Sequence, residues 1–199
     1  MIASVLYLGP GDIKRAEISD AYSIHKVIYS LFPGSKRTFL YYDQGGDNRS
    51  RKILIVSKHQ PEDPEYGTLE SKAVPTNFLQ QDHYAFHIRL NPVKSESQSR
   101  KRIAIIGEDA LREWFVDRSP EWGFHTAMKA LEITATGVQS IERAQRKIVH
   151  NVAEFRGLLS VSDRETFIRS FESGIGKAKA FGFGLLQIRP IKNHSRGVE

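Results

Sequence analysis

Residues 174–186 read Gly-Ile-Gly-Lys-Ala-Lys-Ala-Phe-Gly-Phe-Gly-Leu-Leu, and this stretch constrains the fold of the chain more than any other. Glycine gives up more conformational entropy on folding than any other residue. Gly174, Gly176, Gly182 and Gly184 therefore mark backbone that turns through positive φ or admits another group closely. Lys177 and Lys179 lie in the same stretch, so a phosphate held by backbone N–H groups and ammonium charge is one natural neighbour. A turn whose glycines serve packing alone is the other reading. The spacing matches neither a P-loop nor a dinucleotide fingerprint. The stretch follows a helical pattern and enters an apolar, strand-like run at 185–188, which points to the phosphate of a polymer backbone rather than of a nucleotide cofactor.

The rest of the chain supplies the frame for that loop. Residues 2–8 read as a strand ended by Gly9-Pro10-Gly11. Asp20 is placed to cap a helix in which Ile24, Val27, Ile28, Leu31 and Phe32 form one apolar stripe, stopped by Pro33-Gly34. Tyr22 and His25, three apart, share a face beside that stripe, which predicts a histidine at a pocket rim rather than in the core. Strands follow at 38–42 and 52–57 with a polar turn between, then a loop with one helical turn over 59–74 and an alternating strand at 84–90. The order is β-α-β-β-(α)-β, the ferredoxin-like plan, over residues 1–92. A polar linker at 93–101 carries Lys94, Arg100 and Lys101, and its plain reading is a solvated connector. From Arg102 onward a short strand at 102–106, a helix at 108–116 with Leu111, Trp114 and Phe115 on one face, strands at 124–136 and 148–161, and a helix capped by Asp163 repeat the plan over residues 102–199. Arg143, Arg146 and Lys147 cluster in the segment between those two strands. The predicted fold is α+β, two tandem ferredoxin-like (RRM-like) domains whose repeat is architectural only.

Composition narrows the function. The 199 residues hold 29 Lys and Arg against 23 Asp and Glu, a net charge of +6. Such a surplus suits nucleic acid or an anionic membrane without deciding between them. No apolar run approaches the roughly 18 residues of a membrane span, the first residues lack the basic flank of a signal peptide, and a cytoplasmic protein is expected. There is no cysteine, hence no disulfide and no thiolate metal site. His83 and His87 have metal-like spacing, but on a strand they stand roughly 13 Å apart, too far for one ion. No cofactor and no catalytic metal are expected.

Three segments in this order resemble one family, the repeat-processing endoribonucleases of the type I-E CRISPR Cascade complex, often called CasE. They are Asp-Ala-Tyr-Ser-Ile-His at 20–25 running on to Leu-Phe-Pro at 31–33, Phe-His-Ile-Arg-Leu-Asn-Pro-Val-Lys at 86–94, and the glycine loop; Phe-Arg-Gly-Leu-Leu at 155–159 adds a fourth likeness. The resemblance spans nearly the whole chain and implies tandem ferredoxin-like domains and cleavage of the hairpin in precursor CRISPR RNA. It also implies retention of the product in a complex with other Cascade subunits. It places the family's catalytic histidine on His25 and its tyrosine on Tyr22, with Lys147 the candidate for a lysine from the second domain. Pro33 stands where some members carry a serine, so that role is not transferred.

Metal-free RNA cleavage of this kind has the 2′-hydroxyl attack the adjacent phosphorus. Histidine serves it as base or acid, a contribution of about 10²–10⁴-fold; Tyr22 suits orientation and Lys147 charge stabilisation. The residues expected at the RNA are Lys94, Arg100, Lys101, Arg102, Arg143, Arg146, Lys177 and Lys179, together with Gly174, Gly176, Gly182 and Gly184. The Lys- and Arg-rich end at 189–196 reads as a solvated terminus. Two rivals stay open: a non-catalytic module that binds an RNA hairpin without cutting it, and a small-molecule enzyme of ACT-like fold.

Overall fold

Alternating apolar residues place the central strand of each sheet. The computed structural model describes residues 1–34, 37–46, 50–95, 102–143 and 146–191, and the side chains of Ser95, Arg102, Glu142, Arg143, Arg146 and Lys147 lie outside that description. In the first unit β1 (Ile2–Leu8) turns Ser4, Leu6 and Leu8 inward. It is followed by α1 (Pro10–Arg15), α2 (Ala21–Ser30), β2 (Phe39–Gly46), β3 (Arg51–Ser57) and β4 (Thr68–Ala73). The strands form an antiparallel sheet in the order β2-β3-β1-β4. Helix α2 buries Ile24, Val27 and Ile28 on one face of this sheet, against Leu6, Ile53 and Ile55. Its start is fixed by a capping box: the Ser23 N–H donates to Asp20 Oδ1 at 2.8 Å, and the Asp20 N–H donates to Ser23 Oγ at 3.0 Å. Such a cap is worth about 1 kcal/mol.

The second unit begins with β5 (His83–Leu90), whose Tyr84, Phe86, Ile88 and Leu90 face a core shared with Phe115, Phe155 and Phe167. Next come β6 (Val93–Ser95), β7 (Arg102–Ala104), α3 (Glu108–Arg118), β8 (Phe124–His125), β9 (Leu131–Arg143), β10 (Arg146–Val161), α4 (Arg164–Ser173) and β11 (Gln187–Pro190). The main sheet runs β11-β5-β10-β8. Both sheets share one plan, in which the unit's last strand lies beside its first and the third completes the centre. The fold is therefore α+β with two ferredoxin-like units.

Several expectations change in detail. Strand β5 pairs with β10 and β11, so the first unit does not extend to residue 92 and the division at 93–101 is not where the sheets part. The last strand of the first unit is instead β4, within the stretch read as loop. It is an edge strand, nearly every residue exposed, so no apolar alternation betrays it. The linker is not featureless, for β6 and β7 pair as a separate two-stranded ribbon with Lys94 opposite Ile103. The strand read over 124–136 divides into β8, a short helical turn at Met128–Ala130, and β9. Within the segment read as separating two strands, residues 137–143 and 146–147 are themselves strand: β9 and β10 pair from Gly157–Leu131 to Arg146–Arg143, with a bulge at Glu154. Arg143, Arg146 and Lys147 thus stand at the far end of a long hairpin.

The units meet across a buried polar network. Glu154 on β10 accepts hydrogen bonds from Arg89 Nε at 2.8 Å, His87 Nε2 at 3.1 Å and, from the first unit, the Tyr42 hydroxyl at 3.1 Å. The Arg89 guanidinium also stacks on the Tyr42 ring, 4.6 Å from its centroid. The His87 bond and the Arg89 contact pull the Glu154 carboxyl from 4.5 to about 2 against the opposing effect of burial, while burial pushes Tyr42 up to about 12. A carboxyl depressed in the folded state contributes stability above its unfolded value, and that contribution is lost as pH falls through the folded one. Glu154→Gln should therefore cost about 3 kcal/mol at neutral pH, since Arg89 is left half-buried without its partner. The gap to the wild type should narrow steadily as pH drops from about 4.5 toward 2. Urea unfolding of both proteins across that range measures it.

Candidate active site

Helix α2 carries His25 to the seam between the units. The imidazole is half-buried, with the Tyr29 ring 4.0 Å away, Phe181 at 5.3 Å and Tyr22 stacked at 5.8 Å with 14° between the planes. Its Nδ1 lies 2.7 Å from the carbonyl oxygen of Ala180, in the glycine loop of the other unit. A carbonyl only accepts, so Nδ1 carries the proton and the neutral ring keeps its lone pair on Nε2. The same carbonyl accepts from the Tyr41 hydroxyl at 3.0 Å, and burial holds Tyr41 firmly protonated. The geometry sets the histidine tautomer and leaves Nε2 as the nitrogen available for proton transfer.

The glycine loop is shaped for this contact. The Ile175 N–H donates to the Gly184 carbonyl at 2.9 Å, closing the loop at its ends, and the Gly184 N–H donates to the Arg89 carbonyl at 2.9 Å. All four glycines have positive φ. A Cβ on Gly174 would come within 2.6 Å of Leu40 Cδ2, one on Gly182 within 3.2 Å of Tyr41, and one on Gly184 within 2.3 Å of the Ile175 carbonyl. What presses on this backbone is the first unit's own side chains and the loop itself. Lys179 donates to the Ser173 carbonyl at the end of α4 at 2.8 Å, and burial, with Arg37 adding to it, lowers its pKa. Lys177 is exposed.

A second contact ties the loop to the middle of the β9–β10 hairpin. Gln139 Nε2 donates to the Phe181 carbonyl at 3.4 Å, and His150, opposite Gln139 in register, packs its ring 5.6 Å from Phe181. The Asn151 N–H donates to Asn91 Oδ1 at 3.2 Å, which turns the Asn91 amide nitrogen toward His150 Nδ1 at 3.3 Å. That leaves the His150 proton on Nε2, buried without a partner among the described residues, and desolvation lowers the pKa of the ring. Beside these contacts lies a cleft of about 380 Å³ between the units, lined by Ala21 and Ile24 of α2, Arg51, Arg89, Val138 and Phe181.

Of the residues singled out in the sequence, the structure gathers Tyr22, His25 and the glycine loop. The Lys147 backbone pairs with Glu142 near the hairpin tip, while the Arg143 and Arg146 backbones face one another there. Lys94 is exposed on β6. Arg100 and Lys101 lie outside the described residues, as does the terminus beyond 191. His83 and His87 have separate partners, Ser160 Oγ and Glu154, and among the described residues no cluster of three or more His, Asp or Glu is placed to hold a metal. Sequence reasoning missed Tyr41, Ala180 and Phe181; Tyr41 sits in an unbroken apolar run that reads only as core, and Ala180 acts through its backbone.

The sequence profile described as CRISPR associated protein matches residues 4–190. The chain belongs to this family. The Cascade subunit CasE of the CRISPR system of Escherichia coli K12 is 25% identical over 94% of this chain and 100% of its own length. The CRISPR-associated endoribonuclease Cse3 of Thermus thermophilus is 29% identical over 53% of this chain and 54% of that protein. In three dimensions the chain shares its fold with a CRISPR endoribonuclease Cse3 solved bound to a 19 nt RNA, with a TM-score of 0.83 at 20% identity over 96% of this chain and 100% of that one. No helix among the described residues is long and apolar enough to cross a membrane.

The tautomer assignment in this family member can be checked directly. Nitrogen-15 correlation spectra of the neutral protein should show His25 protonated at Nδ1, the minor form of free histidine, and Tyr41→Phe should leave that form in place while loosening the loop by about 1 kcal/mol. A dominant Nε2–H form would remove the basis for the site described above.

Proposed function

We propose that the chain is an endoribonuclease that cleaves the repeat hairpin of precursor CRISPR RNA. The observation that carries this reading is the locked His25 ring, whose Nε2 has no partner among the described residues at the seam between the units. The family match and the Cascade and endoribonuclease relatives support the substrate. In the proposed step Nε2 of neutral His25 accepts the proton of the 2′-hydroxyl as O2′ attacks the adjacent phosphorus. The P–O5′ bond breaks, and the imidazolium returns a proton to the departing O5′. Atoms balance as a 2′,3′-cyclic phosphate on the retained fragment and a 5′-hydroxyl on the leaving one. Tyr22 orients the reacting nucleotide, and Lys147 meets the charge that develops on the phosphorane oxygens.

Binding in this reading rests on charge and shape. A-form RNA hides its major-groove base edges, so the stem is held through its backbone and the bases at its foot. Lys94, Arg100, Lys101, Arg102, Arg143, Arg146 and Lys177 are the proposed phosphate contacts, the hairpin β9–β10 carrying the cluster at its end. Lys179 and the four glycines act by shaping the loop that holds His25. The product stays bound as the hairpin end of a cytoplasmic surveillance complex built with other Cascade subunits.

Cleavage of the organism's repeat hairpin in EDTA tests the chemistry. His25→Ala should lower the single-turnover rate by about 10²–10⁴-fold with hairpin affinity unchanged within about twofold, and a 2′-deoxy scissile nucleotide should stop cleavage. Wild-type protein that binds the hairpin and never cuts it would favour the non-catalytic module instead. Affinity should also fall about 10³-fold or more between 50 and 200 mM salt if six or more phosphates are contacted; a flat salt profile would rule out the backbone-dominated mode.

A further inference from the structure

A second cleft lies on the other side of α2. It is a cavity of about 630 Å³ between α1 and α2, with Ile13 and Ile18 at its floor and Lys14, Tyr22 and Lys26 on its walls. Lys14 and Lys26 are exposed and make no ion pair among the described residues. The Lys26 ammonium sits 5.6 Å from the centroid of the Tyr22 ring. Of the acidic residues lining the cleft, Asp20 is engaged by the Ser23 amide, which leaves Glu17 against the two lysines.

The placement of this cleft relative to His25 gives it meaning. At about 100° per residue around α2, Ala21 and Ile24 point to the cleft between the units, while Ser23 and Lys26 point to roughly the opposite side. His25 and then Tyr22 occupy the arc between the two. The helix is therefore a ridge with a cleft on each flank and the imidazole near its crest. One flank faces the middle of the β9–β10 hairpin, through Gly137, Val138 and Gln139. A polymer whose reacting phosphate lies at His25, with its stem toward that hairpin, has to continue over Tyr22 into the second cleft. An apolar floor, an aromatic wall and unpaired ammonium groups are the elements that hold single-stranded nucleic acid without regard to sequence.

We propose that this cleft binds the single-stranded RNA immediately 3′ of the scissile phosphate, with Lys14 and Lys26 on its phosphates and Tyr22 beside its first base. The inference rests on the repeat-cleavage reading and extends it from the hairpin to the strand that leaves. The cleft holds the leaving strand in line before cleavage and adds affinity that is lost once that strand departs, which favours release of the tail over release of the hairpin.

Two RNA hairpins with a 2′-deoxy scissile nucleotide test it by fluorescence anisotropy, one ending at the scissile phosphate and one with a short unpaired 3′ tail. For wild-type protein the tail should tighten binding about tenfold and steepen the plot of log affinity against log salt by about 1.4, the value for two single-strand phosphates. In the Lys14→Ala/Lys26→Ala variant the gain from the tail should fall below about twofold, and the extra slope should vanish. A wild-type protein that binds the tail-free hairpin and gains nothing from the tail would overturn the cleft proposal alone, as would a double variant that keeps the full gain. Failure of the tail-free hairpin to bind at all would overturn the repeat-RNA reading, and the cleft with it.

Discussion

The Ala180 carbonyl is the point on which the site depends. It belongs to the second unit, yet both of its donors, His25 and Tyr41, belong to the first. Any change in the relative placement of the units therefore alters the one bond that fixes the histidine tautomer. The glycines of the loop follow from this demand. The carbonyl can reach between α2 and β2 only if the chain around it lies against Leu40 and Tyr41, and a Cβ at Gly174 or Gly182 would meet those side chains at 2.6 Å and 3.2 Å. Ala178 enters the same left-handed region at φ 62°, a cost the surrounding packing offsets.

The polar network at Glu154 holds the units in that placement from the opposite side of β2. Leu40 and Tyr42 turn outward from the first sheet to meet Leu185 and the Glu154 cluster, while Tyr41, between them in sequence, turns inward and holds the loop. One strand thus couples the interface to the His25 contact through the two-residue periodicity of a β-strand. The His150 N–H is an exception in this region, buried without a partner among the described residues. An unpartnered buried donor costs about 1–3 kcal/mol, and it lies beside Phe181, where the loop, the hairpin and His25 converge. Strain of this kind collects where function constrains a structure more than stability does.

Legibility in the sequence followed the physics of each element. The N-cap at Asp20 could be read from its residue type, and the stripe on α2 and the alternation of β5 because burial on one face leaves a period in the residues. The edge strand β4 could not, since it buries too little. The sheet to which β5 belongs could not either, because alternation reports that a strand is half-buried and says nothing of its partners. The extension of β9 and β10 past the sheet was hidden for a related reason, with Val138 and Val149 exposed rather than packed. His25 and Tyr22 were legible as a pair on a helix face, whereas Ala180, which contributes a backbone oxygen, carries no residue-type signal at all.

The glycine loop meets a packing demand as well as the anion reading that its residues suggest. Glycine at positive φ beside lysine suggests an anion, and the same residues also satisfy a packing demand that sequence alone cannot separate from it. The structure separates the two lysines: Lys179 is turned back onto the Ser173 carbonyl at the end of α4, while Lys177 remains in solvent. The site divided between the two units joins an imidazole held in one tautomer to a cleft on each flank of the helix that carries it. A carbonyl committed to the back of a histidine ties the interface between the units to the tautomer of that ring.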